Sequence, residues 1–374
     1  MASNNLIYDV AIIGGGAMGL ACAWKLASRG AKVVLFERAR PGQEASHAAA
    51  GMLAPLCESA VHGWKGDGAA RAAMLKLCLW SRDLYPEFAT RLLEETGLDS
   101  ELSLRGAPTT DWRESGIRFV PALAADSRLN TLLQHGTIAP WHGQDAVFLP
   151  DDGQVDNRKL VEALRVAALG KGVVFRENCT VTRLAFEGKR MVGVFKGETL
   201  VRAERVLLCA GAWSGQIAGL PPEITDSVRP LAGQMVQLRG ERRLRHIIYS
   251  DSCYLVPRRD GRVLIGATVE EIGFEKRVTA GGVGQLLSAA CALAPELRDA
   301  TLEAHWAGLR PATPDGLPLL GATSLQNLLV ATGHGRNGVL LAPATAHLIA
   351  DLVLENREVD AAFSASRFVK SRNL

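Results

Sequence analysis

The stretch Tyr8–Arg38, YDVAIIGGGAMGLACAWKLASRGAKVVLFER, decides the fold. Val10–Ile13 is an apolar run of the kind that forms a parallel strand buried on both faces. It breaks into Gly14-Gly15-Gly16-Ala17-Met18-Gly19, a G-x-G-x-x-G, and an apolar helical pattern through Met18, Ala21, Cys22 and Leu26 follows, ending at Gly30. A second apolar strand, Lys32–Phe36, then delivers Glu37. Gly14 permits the tight turn, Gly16 admits a pyrophosphate close to the backbone, and Gly19 lets helix and strand pack closely. The helix N-terminus offers unpaired N–H groups and a positive dipole end to phosphates. Glu37, 18 residues after Gly19, stands where an acid accepts hydrogen bonds from ribose hydroxyls. The complete strand–turn–helix–strand–acid order predicts a site for an ADP-containing dinucleotide. Glu37 disfavours a 2′-phosphate and hence NADP, leaving NAD and FAD open.

The 374 residues suit two domains, and 48% hydrophobic with 22% charged residues describes a folded chain. A net charge of +3 with no long basic run gives no sign of nucleic-acid binding, and the pairs Arg242-Arg243 and Arg258-Arg259 read as solvated surface. Seven isolated cysteines without a C-x-x-C argue against a disulfide framework and a zinc site; most sit in apolar runs as small core residues. No metal is expected. The N-terminal apolar run is far shorter than the ~18 residues of a membrane span, and nothing before it resembles a signal peptide, so a cytoplasmic protein without membrane partners is expected.

Beyond Arg38 the small-residue run Ala45–Gly51 permits close backbone approach to a flat ligand. Arg71–Gly97 reads as a helix with Gly97 as its C-cap, and 98–149 carries no clear pattern. Asp156 or Asn157 caps a helix reaching about Leu169. Strands are expected at Gly172–Arg176 and Cys179–Phe186, as a hairpin of Arg190–Lys196 with Thr199–Arg202, and separately at Arg205–Cys209 before Ala210-Gly211-Ala212-Trp213-Ser214. From Pro221 the alternating runs Gln234–Leu238, Tyr254–Pro257 and Val263–Thr268 suggest antiparallel strands with one solvated face. A helix over 279–294, a strand Leu302–Leu309 ending at Arg310, and a buried strand Leu328–Ala331 follow. Thr332–Gly338 is a second glycine-rich turn, expected to open a helix from Val339 to Leu354. The expected class is α/β with an α+β substrate domain. An FAD- or NAD-type Rossmann-like domain (1–85, 150–220 and 311–374) interleaves with an antiparallel-sheet domain (86–149 and 221–310).

Taken together, these motifs resemble the D-amino-acid oxidase-like superfamily of FAD enzymes, most closely the glycine oxidases of thiamine biosynthesis. The resemblance runs from about Tyr8 to Asp351. It is carried by IGGGAMG, by SHAAAGMLAP at Ser46–Pro55, and by AGAWS at Ala210–Ser214. GQM at Gly233–Met235, YLVPR at Tyr254–Arg258, IGAT at Ile265–Thr268, WAGLRPATPDGLPLLG at Trp306–Gly321 and ATGHGRNGVLLAPAT at Ala331–Thr345 complete it. It implies FAD in place of NAD. Gly14, Gly16, Ala17, Met18, Gly19, Glu37, Arg38 and Val181 would hold the ADP half. Ala45, Ser46, Ala50, Gly51 and Met52 would lie along the flavin ring, with Gly211 and Trp213 in the second close-approach element. His334, Gly335, Arg336, Asn337, Gly338, Val339 and Leu340 would contact its pyrimidine end. Arg310 would bind the substrate carboxylate, with Tyr254 and Arg336 closing the same pocket; a guanidinium fork matches a carboxylate with two parallel hydrogen bonds.

In such enzymes hydride passes from the substrate α-carbon to flavin N5, the imine hydrolyses to a keto acid and an amine or ammonia, and O2 is reduced to H2O2. The resemblance therefore implies oxidation of glycine, sarcosine or other N-substituted glycines, and a homo-oligomer, as in homotetrameric relatives. No general base is assigned, and His334 reads as structural. Gly335, where many relatives carry an aromatic residue, and Val269 after IGAT, where a larger side chain can occur, are expected to enlarge the pocket. His47 sits in HAAAG, one alanine longer than the HAAG of covalent flavoproteins, and no cysteine follows Cys291, so the flavin is expected to be non-covalent. The competing readings are a D-amino-acid or sarcosine dehydrogenase with a non-oxygen acceptor, and a non-enzymatic FAD-bound assembly or tRNA-modification subunit.

Overall fold

The computed structural model describes residues 7–105, 107, 115–121, 126–188, 190–240 and 244–369; Arg242 and Arg243 lie outside them. The run Val10–Ile13 lies in the strand Tyr8–Ile13 near the middle of an eight-stranded sheet, flanked on both sides by parallel partners. Its neighbours are Val33–Phe36 and Thr199–Leu208; Val174–Arg176 and Leu328–Thr332 extend the parallel run outward, and Leu319–Ala322 closes one end antiparallel. The segments Val10–Ile13, Val33–Phe36, Val206–Leu208 and Leu328–Ala331 are wholly apolar because both faces of the sheet are covered there. The helices Ala17–Ser28, Asn157–Gly170 and Ala342–Glu355 bury Leu20, Leu164 and Ile349 in one core with Val10, Ile12 and Leu35. Across the sheet, Ala11, Val34 and Leu208 pack with Leu184, Met191 and Val194 of the antiparallel strands Leu184–Glu187 and Arg190–Lys196. Truncating such a fully buried leucine to alanine costs about 2–5 kcal/mol.

Gly14 and Gly19 fix the turn between strand and helix. Gly14 has φ +106, and a Cβ on Gly19 would stand 1.9 Å from the Gly14 carbonyl oxygen. Only hydrogen fits there, which sets how closely Ala17–Ser28 packs over the strand it follows.

The second sheet also has eight strands, in the order Thr301–Ala312, Arg229–Arg239, Arg262–Gly266, Tyr254–Pro257, Ile247–Ser250, Ile117–Val120, Val147–Leu149 and Thr137–Ile138. All neighbours are antiparallel except Ile247–Ser250 with Ile117–Val120. The expected solvated face is absent from its central strands. Tyr254–Pro257 is buried at every position because the helix Ala280–Leu293 packs Leu286 and Ala290 on one side, while Met235, Tyr254 and Leu264 face a third core on the other. Alternation in these strands separates two buried environments, which composition does not distinguish from buried and wet.

Other elements shift for identifiable reasons. Thr199–Arg202 and Arg205–Cys209 belong to one strand, Thr199–Leu208, which pairs antiparallel with Arg190–Lys196 at its start and parallel with Tyr8–Ile13 beyond. The C-terminal helix proper begins at Ala342, after a 3₁₀ turn at Gly335–Asn337 in which Gly335 adopts φ +56. The helix Gly68–Thr96 starts before Arg71, capped by the Asp67 side chain, and ends on Gly97 in the left-handed region. Asp156 caps Asn157–Gly170 through the amides of Arg158 and Lys159. Within the unpatterned 98–149 lie the short strands named above and the helix Ser127–Leu132. Six of the seven cysteines are buried and all are free thiols. Among the described residues no helix is long and apolar enough to cross a membrane.

Candidate active site

One elongated cavity runs from the first turn of Ala17–Ser28 to the buried face of the second sheet. At the nucleotide end the Glu37 carboxylate accepts from the Gly15 amide at 2.8 Å and from the Ala39 amide at 3.0 Å. That holds the acid beside the turn, where a ribose would lie. The Ala17 amide donates to Ser46 Oγ at 2.9 Å, tying the small-residue segment to the helix N-terminus. Arg38 lies 3.7 Å from the centre of the Trp213 ring, and both residues line the cavity with Val181 and Gly211.

The middle of the cavity is walled by Ala45, Ser46, Ala50, Gly51 and Met52. This wall is held by side chains the sequence did not single out. Trp306 Nε1 donates to the Ala48 carbonyl at 3.0 Å, and Asn157 Nδ2 to that of Ser46 at 2.7 Å. Arg258 is the correction here, since it is buried and not surface. Its guanidinium donates to the Ala50 carbonyl at 2.8 Å, the Val155 carbonyl at 3.0 Å, Gln154 Oε1 at 2.7 Å and Asn157 Oδ1 at 3.1 Å. Burial pushes its pKa down to about 10, which still leaves it cationic at neutral pH. His47 is not among the residues lining the cavity.

His334, Gly335, Arg336, Asn337, Gly338 and Val339 line the far wall. His334 is buried against Thr345 Oγ1 at 3.1 Å, and burial pushes its pKa down to about 3. A neutral imidazole packed in this way fits a structural role. Gly335 lines the cavity, and a Cβ there would meet nothing within 4 Å. Val269 does not contribute to it: the side chain is exposed and lies outside the cavity lining.

Arg310 and Tyr254 meet at the other end. Arg310 sits inside the strand Thr301–Ala312, its Nη1 3.3 Å from the carbonyl oxygens of both Ala232 and Thr268. Gly233 on the paired strand makes the space, because a Cβ there would lie 2.3 Å from Arg310 Nη1. Burial lowers the Arg310 pKa, opposed by Tyr254 and reinforced by the like charge of Arg336. A bound carboxylate would reverse that penalty. Burial raises the Tyr254 pKa, keeping the phenol a neutral donor; it now rests on Met235 Sδ at 3.3 Å. Gly233→Ala is expected to displace the guanidinium while sparing fold and flavin, raising KM about tenfold or more. Steady-state kinetics beside a flavin absorbance spectrum check this.

A cluster missed at the sequence level completes this end. Glu58, on the helix Pro55–Val61, accepts from Arg336 Nε at 3.1 Å and from the Tyr249 hydroxyl at 2.9 Å. Arg336 Nη2 donates to the same hydroxyl at 3.0 Å, and His62 Nε2 lies 2.9 Å from it. The hydroxyl has one proton, given to Glu58, so His62 must be the donor through an Nε2–H tautomer. Burial opposes the charge on Arg336, but Glu58 and Tyr249 hold its pKa above the usual range. The signal in the sequence was a single acid in the apolar run Leu53–Ala60. Asp152 faces the first-turn amides of that helix from full burial, with Arg82 Nη1 3.5 Å away. Burial pushes its pKa up to about 7. Between the unfolded value of about 3.9 and that raised value the folded state keeps a proton the unfolded chain releases. This contribution is therefore full below about pH 4 and is lost as pH rises through about 7. Asp152→Asn is expected to flatten the fall of Tm between pH 5 and 8; a slope equal to wild type would contradict the assignment.

Of the residues expected at the site, all but Gly19 and Leu340 line this cavity. Gly19 lies beneath the turn against Gly14, and Leu340 is buried with its carbonyl accepting from Ser81 Oγ at 2.7 Å. A helix N-terminus and an acid placed for a ribose at one end of a cleft, with a half-buried guanidinium at the other, are the features of a dinucleotide-binding enzyme.

The family model for FAD-dependent oxidoreductases, DAO, matches residues 9–352. The chain belongs to that family, and its cofactor is FAD. It is 39% identical over 97% of its length to the bifunctional protein ThiO/ThiG of Trichormus variabilis, of which it covers 55%. The chain thus spans about half the length of the bifunctional relatives it matches. Against the glycine oxidase of Pseudomonas putida it is 34% identical over 92% of this chain and 94% of that protein. The crystal structure of glycine oxidase from Geobacillus kaustophilus superposes with a TM-score of 0.82 at 33% identity, covering 97% of this chain and 99% of that one.

Proposed function

We propose that the protein oxidises glycine and small N-substituted glycines such as sarcosine to glyoxylate and ammonia or the corresponding amine, with O2 as acceptor and H2O2 as second product. The observation that carries this reading is the half-buried Arg310, paired only with uncharged groups among the described residues, at the end of the cleft. The similarity to glycine oxidases supports it. When bound, FAD supplies a two-electron acceptor that dioxygen regenerates.

The chain's own residues bind and orient. Arg310 takes the substrate carboxylate in a charge-assisted fork, and the Tyr254 phenol is placed to add a neutral hydrogen bond once it leaves Met235. Fixing the carboxylate fixes the α-carbon relative to the flavin ring that would lie along Ala50, Gly51 and Met52. Arg336 closes the pocket beside it. The open side of Gly335 gives an N-alkyl group somewhere to go. His334 is neutral and buried, so the substrate amine must arrive deprotonated or lose its proton to solvent, and kcat/KM should rise with pH toward the pKa of that amine.

A peroxide assay over glycine, sarcosine, N-ethylglycine, D-alanine and D-proline tests the proposal. Peroxide from glycine and sarcosine supports it, and activity confined to glycine removes the N-substituted part. Anaerobic bleaching of the flavin by substrate without peroxide in air would move the assignment to a dehydrogenase.

A further inference from the structure

We propose that Glu58 sets the charge of the ligands this pocket admits: by neutralising Arg336 it leaves Arg310 as the one guanidinium available to a ligand, restricting the site to amino acids with a single carboxylate. The inference rests on the reading above that Arg310 takes the substrate carboxylate.

Two guanidiniums, Arg310 and Arg336, line the same end of the cavity, and Glu58 lines it with them. They differ in what they already hold. Among the described residues Arg310 has only uncharged partners, the carbonyls of Ala232 and Thr268 and the Tyr254 phenol. Arg336 is held through Nε to the Glu58 carboxylate and through Nη2 to the Tyr249 hydroxyl. Tyr249 bridges the pair by donating to the other Glu58 oxygen, and its remaining acceptor capacity goes to His62. Arg336 Nε and Nη2, both Glu58 oxygens and the Tyr249 hydroxyl are all engaged, so the pair is held in place without a ligand. Glu58 itself is 6% exposed.

Stability does not explain this arrangement. A buried ion pair is commonly no better for folding than apolar residues of the same size, because desolvation offsets the attraction. Its position in the wall of a ligand cavity gives it another consequence. With Glu58 charged, the three ionic side chains at this end sum to one positive charge, which one carboxylate neutralises. A second carboxylate would meet Glu58 at close range in a site of low dielectric, where like charges repel strongly. Without the Glu58 charge, the same end would present two uncompensated guanidiniums, suited to a dianion such as an N-carboxymethyl amino acid.

The test uses the flavin-loaded protein and three carboxylates that lack an amine to oxidise: acetate, malonate and succinate. Each is titrated at fixed ionic strength, and Kd is read from the flavin difference spectrum. Wild type is expected to bind acetate more tightly than either dianion. Glu58→Gln keeps a polar partner for Tyr249 but drops the charge, and is expected to tighten malonate or succinate about tenfold or more relative to acetate, a shift of ~1.4 kcal/mol. Adding Arg336→Met should abolish that gain. Glu58→Ala is the second variant should the first lose flavin.

A relative affinity for dianions that stays at the wild-type value, or a gain that survives Arg336→Met, would overturn the proposal. So would wild type preferring dianions, which decides the matter without any variant. A merely structural role for Glu58 would weaken all three ligands together. Binding needs no turnover, so failure of the oxidase reading would show as absent peroxide with the charge preference intact.

Discussion

Arg310→Met lowers kcat/KM for glycine or sarcosine about a thousandfold while the flavin remains bound. Methionine fills much of the arginine volume, so the strand Thr301–Ala312 and its pairing with Arg229–Arg239 should survive. What is lost is the positive partner proposed for the substrate carboxylate. Truncating one member of a buried, hydrogen-bonded charge pair costs 2–5 kcal/mol or more, and about 4 kcal/mol corresponds to three powers of ten. The loss should appear in KM together with kcat, since the same fork holds the α-carbon in register. Added guanidinium ion should restore part of the rate. Steady-state kinetics beside a flavin spectrum decide it; a loss under tenfold would mean that the carboxylate is held elsewhere.

Arg258→Met is the second large effect, and it works through the cofactor. Arg258 donates to the Ala50 and Val155 carbonyls and to the side chains of Gln154 and Asn157. Each acceptor left bare in the interior costs about 1–3 kcal/mol, partly recovered where water enters. A net loss of about 4 kcal/mol lowers Tm by about 5 °C in a chain of this size. Flavin occupancy should fall more steeply than Tm, because the Ala50 carbonyl belongs to the wall against which the ring would lie. Lysine should not rescue, since one ammonium cannot reproduce a planar fork serving four acceptors. The flavin-to-protein absorbance ratio and a melting curve read both; a variant with full flavin and an unchanged Tm would remove Arg258 from the account.

These two arginines also mark how far the sequence could be read. Arg310 stood in a long motif after an apolar strand, and its place in the wall of the cavity could be anticipated. Arg258 follows an apolar strand in the same way, but beside Arg259 it looked like surface charge. What buries it is the arrival of Ala50, Gln154 and Asn157 from segments about a hundred or more positions away. Local pattern carries no trace of such a meeting. The nucleotide turn was legible because each of its requirements is local: a glycine where φ is positive, another where a Cβ would strike a carbonyl, an acid at the end of the next strand. The Glu58–Arg336–Tyr249 cluster was not, since its members come from three distant elements. Val269 was misplaced for the converse reason, because adjacency to a motif does not fix which way a side chain points.

The central sheet joins a strand beginning at Tyr8 to one ending at Thr332, with Thr199–Leu208 between them. At about 5–20 residues per second, a ribosome needs on the order of half a minute to make the intervening chain. Throughout that time the far wall of the cleft does not yet exist, and Thr199–Leu208, once made, lacks a partner on one edge until Leu328–Thr332 follows. The nascent protein therefore cannot capture its cofactor early as a folding aid. Flavin supply should govern how much finished chain is retained, with little influence on how quickly the chain is made.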